Sequence, residues 1–492
     1  MLDFRKHINV SDDFFVVRNL TGSILEGVGV AYLVPALLAW VYPDEIKYVP
    51  YFALPGMASI LFGAWLSRHS SRIEDVNLRQ AMVAAAFTWL LASLVSVVPF
   101  MKIANMPLLD SYFECMSAWT GTGLTMMSNL QSYPKMMLFW RAWMQWLGGI
   151  GIVLVALTVL IRPGVAAARL YRAEARSERI LPNLVNTAKV IFEIYLVLTL
   201  VGVYLYYING MGLFDALTHS MTGLGTGGMS THDESIGFFH SPAINAVTIF
   251  LMIMGAVNFT VHYRVFKDRS LKPFFADIQV RYMFFFLIPA ISLIAYGLVQ
   301  VGDSLGDALQ GAVFHAVSAI SCTGFQISDL SKYPEVGKFL LAVLMVIGGG
   351  AGSTAGGIKL IRITLMYESL KWTIESAILP KGAVIKRKVG NYVFSEEDIQ
   401  EVMSFTITYV AFLLAGVLYT MLRVHANLAD ALFEVASAQG NVGLSVGITS
   451  PAMPPDLKFV YILLMWIGRL EIFSTLVFII SVFFLLPRGL RR

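Results

Sequence analysis

Hydrophobic positions in this chain gather into long unbroken runs divided by short polar segments, without the alternation that half-buried elements of a soluble domain show. Crossing about 30 Å of hydrocarbon takes roughly 20 apolar residues. Ten stretches approach that length: 20–42, 49–66, 82–98, 136–161, 190–207, 243–261, 282–301, 339 onward, 404–422 and 459–486. The first two stand alone. The other eight pair up, and between the members of each pair lies a helix-like run of about ten residues, too short to cross and so expected to enter the bilayer and turn back. Each such run ends on a glycine, at Gly123, Gly228, Gly324 and Gly443.

With these glycines aligned, other positions fall into register. Six residues earlier stand the hydroxyls of Ser117, Thr222, Ser318 and Ser437. Nine earlier stand Glu114, His219, His315 and Glu434; thirteen earlier, Asp110, Asp215, Gly311 and Asp430. The glycines are 105, 96 and 119 residues apart, a period that marks internal repetition. The expected architecture is an all-α integral membrane protein: four span–pore-loop–span repeats about a pseudo-fourfold pore, plus two extra N-terminal transmembrane helices. The boundaries read as 1–75 for the two-helix unit, then 76–165, 186–265, 279–375 with a broken second helix, and 400–492.

Composition narrows the class rather than changing it. Of 492 residues 57% are hydrophobic and 14% charged, with a mean hydropathy of +0.68, more apolar surface than a soluble domain hides. The net charge of +4 matters less than its placement. The segment from Arg162 to Lys189 carries Arg162, Arg169, Arg172, Arg176, Arg179 and Lys189 against Glu174 and Glu178, whereas the glycine loops hold few cations. The positive-inside rule then puts both termini in the cytoplasm and the glycine loops outside. It accounts for the basic loops without a nucleic-acid partner. The two cysteines, Cys115 and Cys322, fall inside the loops and suggest neither a disulfide framework nor a zinc site. The N-terminus is polar and charged before its first apolar run, unlike a cleavable signal.

The loop ends read Thr120-Gly121-Thr122-Gly123, Gly225-Thr226-Gly227-Gly228, Ser321-Cys322-Thr323-Gly324 and Gly440-Asn441-Val442-Gly443. Apart from Asn441 they offer no strong side-chain ligand, so ion chemistry there falls to backbone carbonyls, which replace the hydration shell of a weakly hydrated monovalent cation. A small divalent ion would demand carboxylates. Potassium is the natural guest, the short helices aiming their negative ends at it. The competing reading of these glycines is tight helix packing. Glu114, His219, His315 and Glu434 read as anchors for the short helices, with direct ligation as the alternative.

Three further features carry charge or break a helix. Gly348, Gly349, Gly350, Gly352, Gly356 and Gly357 interrupt the eighth span; each glycine costs a helix about 1 kcal/mol relative to alanine. The segment reads as a flap across the pore or as a packing kink. A phosphate loop is excluded because Ile358, not lysine, follows Gly357. Arg469 falls inside the last apolar stretch, as a charge barrier in the pore or as half of a buried ion pair, with Glu471 badly spaced to be its intrahelical partner. Arg141, nearer a span end, is expected to snorkel to the interface in a structural role.

The segments 113–125, 215–239, 318–325, 348–359, 433–445 and 466–474 resemble the potassium uptake subunits of the TrkH, TrkG and KtrB type, and the likeness runs the length of the chain. The two extra N-terminal spans are typical of the Trk branch. The resemblance implies potassium uptake in the bacterial inner membrane, an intramembrane gating loop at the glycine break, a homodimer, a cytoplasmic TrkA-like nucleotide-binding regulatory subunit, no enzyme chemistry and no organic cofactor. It departs at Gly121, where similar proteins often carry threonine. Two other classes compete with this reading. A secondary transporter coupling potassium or an organic solute to protons or sodium would place its site at a broken helix, in inverted halves; here the repeats run the same way. A membrane enzyme would need a nucleophile–base set that the loops lack.

Overall fold

A computed structural model describes residues 10–68, 78–151, 184–380, 387–389 and 392–489. Nearly all of it is helix. The strand pairing among the described residues is a two-residue antiparallel ladder, Lys388–Val389 with Tyr392–Val393. Among the described residues five helices are long and apolar enough to cross a membrane, or up to seven when two sharply bent pairs are counted as spans.

The chain opens with Val10–Ala36 and Pro50–Ser67, packed through facing glycines. A Cβ on Gly22 would lie 2.7 Å from the Gly63 carbonyl oxygen, and one on Gly29 would lie 2.6 Å from that of Gly56. Such small-residue contacts let two helices approach without a solvent-driven apolar force. The pair is tied to the body by Trp143 Nε1 donating to the Ala31 carbonyl (3.1 Å). Glu45 accepts from the backbone N–H groups of Lys135 and Met136 at 2.6 and 2.8 Å, an acid at a helix N-terminus.

Four stretches then follow one order: long helix, short helix, glycine turn, return helix. The long helices are Leu78–Val95, Leu184–Ile208, Ile278–Gln300 and Glu396–Val424. The short ones are Leu108–Thr120, Leu213–Leu224, Leu305–Ile320 and Leu428–Gln439, and the return helices are Lys135–Ile150, Pro242–Ala256, Glu335–Ile347 and Pro455–Arg469. Local chemistry starts the short helices. Ser304 and Asn427 cap the third and fourth, accepting from Asp307 N–H (3.2 Å) and Asp430 N–H (2.8 Å).

Three expected spans are not continuous helices. The stretch 243–261 bends by 103° between Pro242–Ala256 and Phe259–Asp268, and 459–486 bends by 115° between Pro455–Arg469 and Phe473–Val482. The glycine break separates Glu335–Ile347 from Leu360–Ile378. The fourth expected span is described only as far as Gly151, and most of the basic segment after it lies outside the described residues. Arg469 is therefore not in the middle of a straight span. It is the last residue of its helix, at a bend where Glu471 and Ile472 take φ of 55° and 58°.

Candidate functional site: a ring of four glycine turns

Each short helix ends in the same backbone turn. The N–H groups of Thr122, Gly227, Thr323 and Val442 donate to the carbonyls of Ser117, Thr222, Ser318 and Ser437 at 2.8, 2.8, 3.0 and 2.9 Å. Left-handed backbone follows at Gly121, Thr226, Cys322 and Asn441 (φ 68°, 48°, 54° and 53°), and again at Gly123, Gly228, Gly324 and Gly443 (90°, 71°, 89° and 102°). The residue between each pair is not left-handed. At the first of these positions only repeat one carries glycine, so Gly121 relieves a strain that the other three turns bear.

The four turns close on one another in chain order. A Cβ on Gly123 would overlap the Gly227 carbonyl oxygen, and one on Gly228 the Thr323 carbonyl oxygen. A Cβ on Gly324 would overlap the Val442 carbonyl oxygen, and one on Gly443 the Thr122 carbonyl oxygen. Four glycines facing four carbonyls of the neighbouring turn make a closed ring with room for no side chain.

Side chains hold this ring from outside. Glu114 accepts from Met126 N–H (2.8 Å), and Glu434 from Val446 N–H (3.0 Å) and Thr449 N–H (2.8 Å). His315 Nε2 takes the N–H of Ile327 (3.2 Å), and His219 Nε2 pairs with Ser230 Oγ (2.9 Å). All four thus fasten the strand leaving the ring back onto the short helix, the anchoring role. Asn441 spends its amide N–H on Thr122 Oγ1 (3.0 Å) and the Met465 carbonyl (2.8 Å), which ties two turns together. Thr120 and Thr122 pair through their hydroxyls at 2.7 Å, and Ser321 and Thr323 do so at 2.8 Å.

Arg141 is a correction. It is 1% exposed, with Nε 2.9 Å from Glu114 Oε1 and Nη1 3.0 Å from the Ser230 carbonyl, so it cannot snorkel to an interface. Burial of Glu114 demands a counter-charge, and that carboxylate captures the arginine. Two lysines were not read from the sequence. Lys458 meets Asp110 at 2.6 Å and Lys338 meets Asp430 at 2.7 Å, joining return helix four to short helix one and return helix three to short helix four. Gln145 was missed too: it donates to the Gly227 carbonyl (2.5 Å) and accepts from Met229 N–H (2.9 Å). Its only sequence signal is an amide in an apolar run. Both cysteines are buried and unpaired.

On the helix side of the ring lies the glycine-rich segment. Gly350 N–H donates to the Ala256 carbonyl (2.8 Å) and Thr354 N–H to that of Gly255 (3.1 Å). The Gly352 carbonyl accepts from Phe259 N–H (3.0 Å). Arg469 Nη1 donates to the Thr354 carbonyl at 3.0 Å, and Nη2 reaches the carbonyls of Gly148 and Gly149. Its guanidinium also comes within 4.0 Å of where a Gly121 Cβ would sit. Glu471 instead pairs with Lys359 (3.2 Å) and Arg362 (2.5 Å), at the far end of the same segment. Together these groups wall a cavity of about 60 Å³ lined by Gly352, Thr354, Gly356, Lys359, Arg469 and Glu471 among others.

Residues 50–484 match the family model described as TrkH, cation transport protein. This chain belongs to the TrkH family. It is 34% identical to an uncharacterized cation transporter of Methanocaldococcus jannaschii over 97% of both chains. It is 29% identical to the Trk system potassium uptake protein TrkH of Salmonella typhimurium over 94% of this chain and 98% of that one. The crystal structure of the potassium transporter TrkH from Vibrio parahaemolyticus superposes with a TM-score of 0.82 at 29% identity, covering 97% of this chain and all of that one. The all-helical, multi-pass membrane class expected from sequence is thereby established.

Proposed function

We propose that this TrkH-family chain takes up potassium across the cytoplasmic membrane through a filter made of the four glycine turns. The segments 76–165, 186–265, 279–375 and 400–492 act as four repeats about one ion path, and 1–75 is an appended pair of spans with both termini in the cytoplasm. The observation that carries this reading is the closed ring, in which every fourth-position glycine faces a carbonyl of the next turn. A ring without charged side chains and rich in carbonyls suits a large monovalent cation. The relatives named for potassium uptake point the same way.

The segment Gly348–Gly357 is the gate in this reading. It lies at the helix end of the ring and is held by backbone hydrogen bonds that can be exchanged, and Arg469 places a fixed positive charge beside it. The chain has no catalytic role. A second copy of the chain and a TrkA-like nucleotide-binding subunit are the partners, on the strength of the sequence resemblance. Potassium and sodium fluxes into proteoliposomes, with and without a pH gradient, test the assignment. Potassium flux above sodium flux and indifferent to the pH gradient is expected. Flux that needs the gradient would assign the chain to the coupled transporters, and equal fluxes of both ions would remove the filter.

A further inference from the structure

Return helix two ends at Ala256 and turns by 103° into Phe259–Asp268. Return helix two thus hands over to a helix roughly perpendicular to it, the relation of a surface-lying helix to one that spans the bilayer. From there to the next long helix the chain exposes five cations, Arg264, Lys267, Arg269, Lys272 and Arg281. The acids in the same stretch of sequence are Asp268 and Asp277, and Asp277 caps a helix, accepting from Gln279 N–H (2.9 Å) and Val280 N–H (3.1 Å). Between the cations, Phe266, Leu271 and Phe275 are 51%, 65% and 59% exposed.

A shallow groove, wide open to its surroundings, runs along this element, walled by Ser270, Leu271, Lys272, Phe275, Ala276 and Arg281. Arg281 Nε donates to the Phe275 carbonyl at 2.9 Å, which fixes the guanidinium in the groove wall. An acidic protein would neutralise the cations and leave bare aromatic surface to bury separately. One amphiphile answers both needs, phosphate at Lys272 and Arg281 and acyl chain over Phe275 and Leu271.

The residues flanking the element grip one stretch of the glycine-rich segment: before and at its start, Ala256 and Phe259 bond Gly350 and Gly352, and past its finish, Gln279 Oε1 accepts from Ala351 N–H at 2.7 Å. We propose that the groove binds the headgroup of an anionic phospholipid, and that this occupant biases the glycine-rich segment through the two grips. The second half rests on the gate reading above; the first does not.

The test uses the full chain in liposomes. Ala276 is exposed and the native Cys115 and Cys322 are buried, so Ala276→Cys gives one accessible thiol for a fluorophore. Brominated phosphatidylglycerol should quench it more than brominated phosphatidylcholine at equal mole fraction, with a preference of roughly fivefold per cation. Lys272→Gln with Arg281→Gln should bring the two lipids to parity. Lys272→Glu alone, which keeps the Arg281 bond and shifts the local charge by the same two units, should also bring the two lipids to parity. Potassium flux in the parent should vary with phosphatidylglycerol content, and in the double variant it should not. Equal quenching of the parent by both lipids overturns the site. So does a label that neither lipid quenches but a cytoplasmic partner protein shields. A headgroup preference with flux indifferent to lipid overturns the coupling alone, and a headgroup preference with no potassium flux at all overturns the transport reading and leaves the lipid site standing.

Discussion

Gly324→Ser separates the backbone demand of the ring from its steric demand. At φ 89° a residue with a Cβ pays roughly 1–2 kcal/mol in conformation. Its Cβ also overlaps the Val442 carbonyl oxygen and comes 2.8 Å from the Gly443 Cα, backbone atoms that cannot swing away as a side chain would. Turn four must therefore retreat by about 1 Å or more to reach ordinary contact. With half a charge on the oxygen and an effective dielectric near 20, withdrawing it from about 2.8 to about 3.8 Å weakens its hold on a cation by about 0.8 kcal/mol, about fourfold. Gly302→Ala is the matched control, since Gly302 has φ 109° with nothing within 4 Å of its Cβ position. It pays the conformational cost without the overlap. Potassium fluxes of both variants in proteoliposomes, normalised to protein in the membrane, should show a half-saturating potassium concentration at least about fourfold higher in Gly324→Ser and unchanged in Gly302→Ala. Parent potassium affinity in Gly324→Ser at parent yield would refute the reasoning, as would an equal loss in both.

Arg469→Gln should pass cations faster than the parent and Arg469→Lys nearly as the parent does, because at roughly 8 Å and a dielectric near 20 the charge costs an ion about 2 kcal/mol, or about 30-fold; poor yield of both with no gain in flux would assign the arginine to holding Thr354, Gly148 and Gly149 instead. Deleting Gly349 to Gly356 should raise potassium flux and weaken its dependence on a cytoplasmic partner; a deletion that folds but conducts no faster makes the segment a packing kink. Glu114→Gln should cut membrane yield, since it strands the buried Arg141 at about 3–5 kcal/mol. Adding Arg141→Met to it should recover much of that yield, measured by detergent-extracted, size-homogeneous protein.

The repetition of the four turns was legible because it is local: a hydroxyl, an acid or histidine and a glycine at fixed offsets along one short helix. Glu114, His219, His315 and Glu434 were read as anchors, and their hydrogen bonds run as that reading requires. What depended on distant partners was lost. Arg141 looked like an interfacial residue because its position in the run is near an end. Only the third dimension shows that this end lies against Glu114, at the depth of the ring. The bends at 257–258 and 470–472 were invisible because hydropathy continues through them; Asn258 caps a new helix by accepting from Thr260 N–H at 2.8 Å, a signal buried in an apolar run. Arg469 was placed in mid-span for the same reason.

The return helices hold a second register that joins these bends to the ring. Counting fourteen residues from their capping residues Pro134, Ser241, Pro334 and Pro454 reaches Gly148, Gly255, Gly348 and Gly468, a glycine each time. In three of them the glycine presses on the last carbonyls of the short helix beside it. A Cβ on Gly148 would overlap the Trp119 carbonyl, one on Gly255 would stand 2.5 Å from that of Leu224, and one on Gly468 would overlap that of Gln439. Trp119, Leu224 and Gln439 all lie four residues before their ring glycine. The third is different. Gly348 is left-handed, at φ 72°, and its Cβ position is taken by the Gly356 carbonyl; the Cβ position of Gly356 is taken in turn by the Gly440 carbonyl. The glycine-rich segment therefore enters at the place where the other return helices brace the end of a short helix. Three glycines brace short-helix ends, and at the fourth place stands the glycine-rich segment, which Thr354 Oγ1 ties to the Leu224 and Gly255 carbonyls at 3.0 and 2.9 Å. In the gate reading proposed above, this segment is the joint of the ring: its release would change the space beside Arg469 and the Thr354 hold on the Leu224 carbonyl, while Gly148 and Gly468 would still brace short helices one and four.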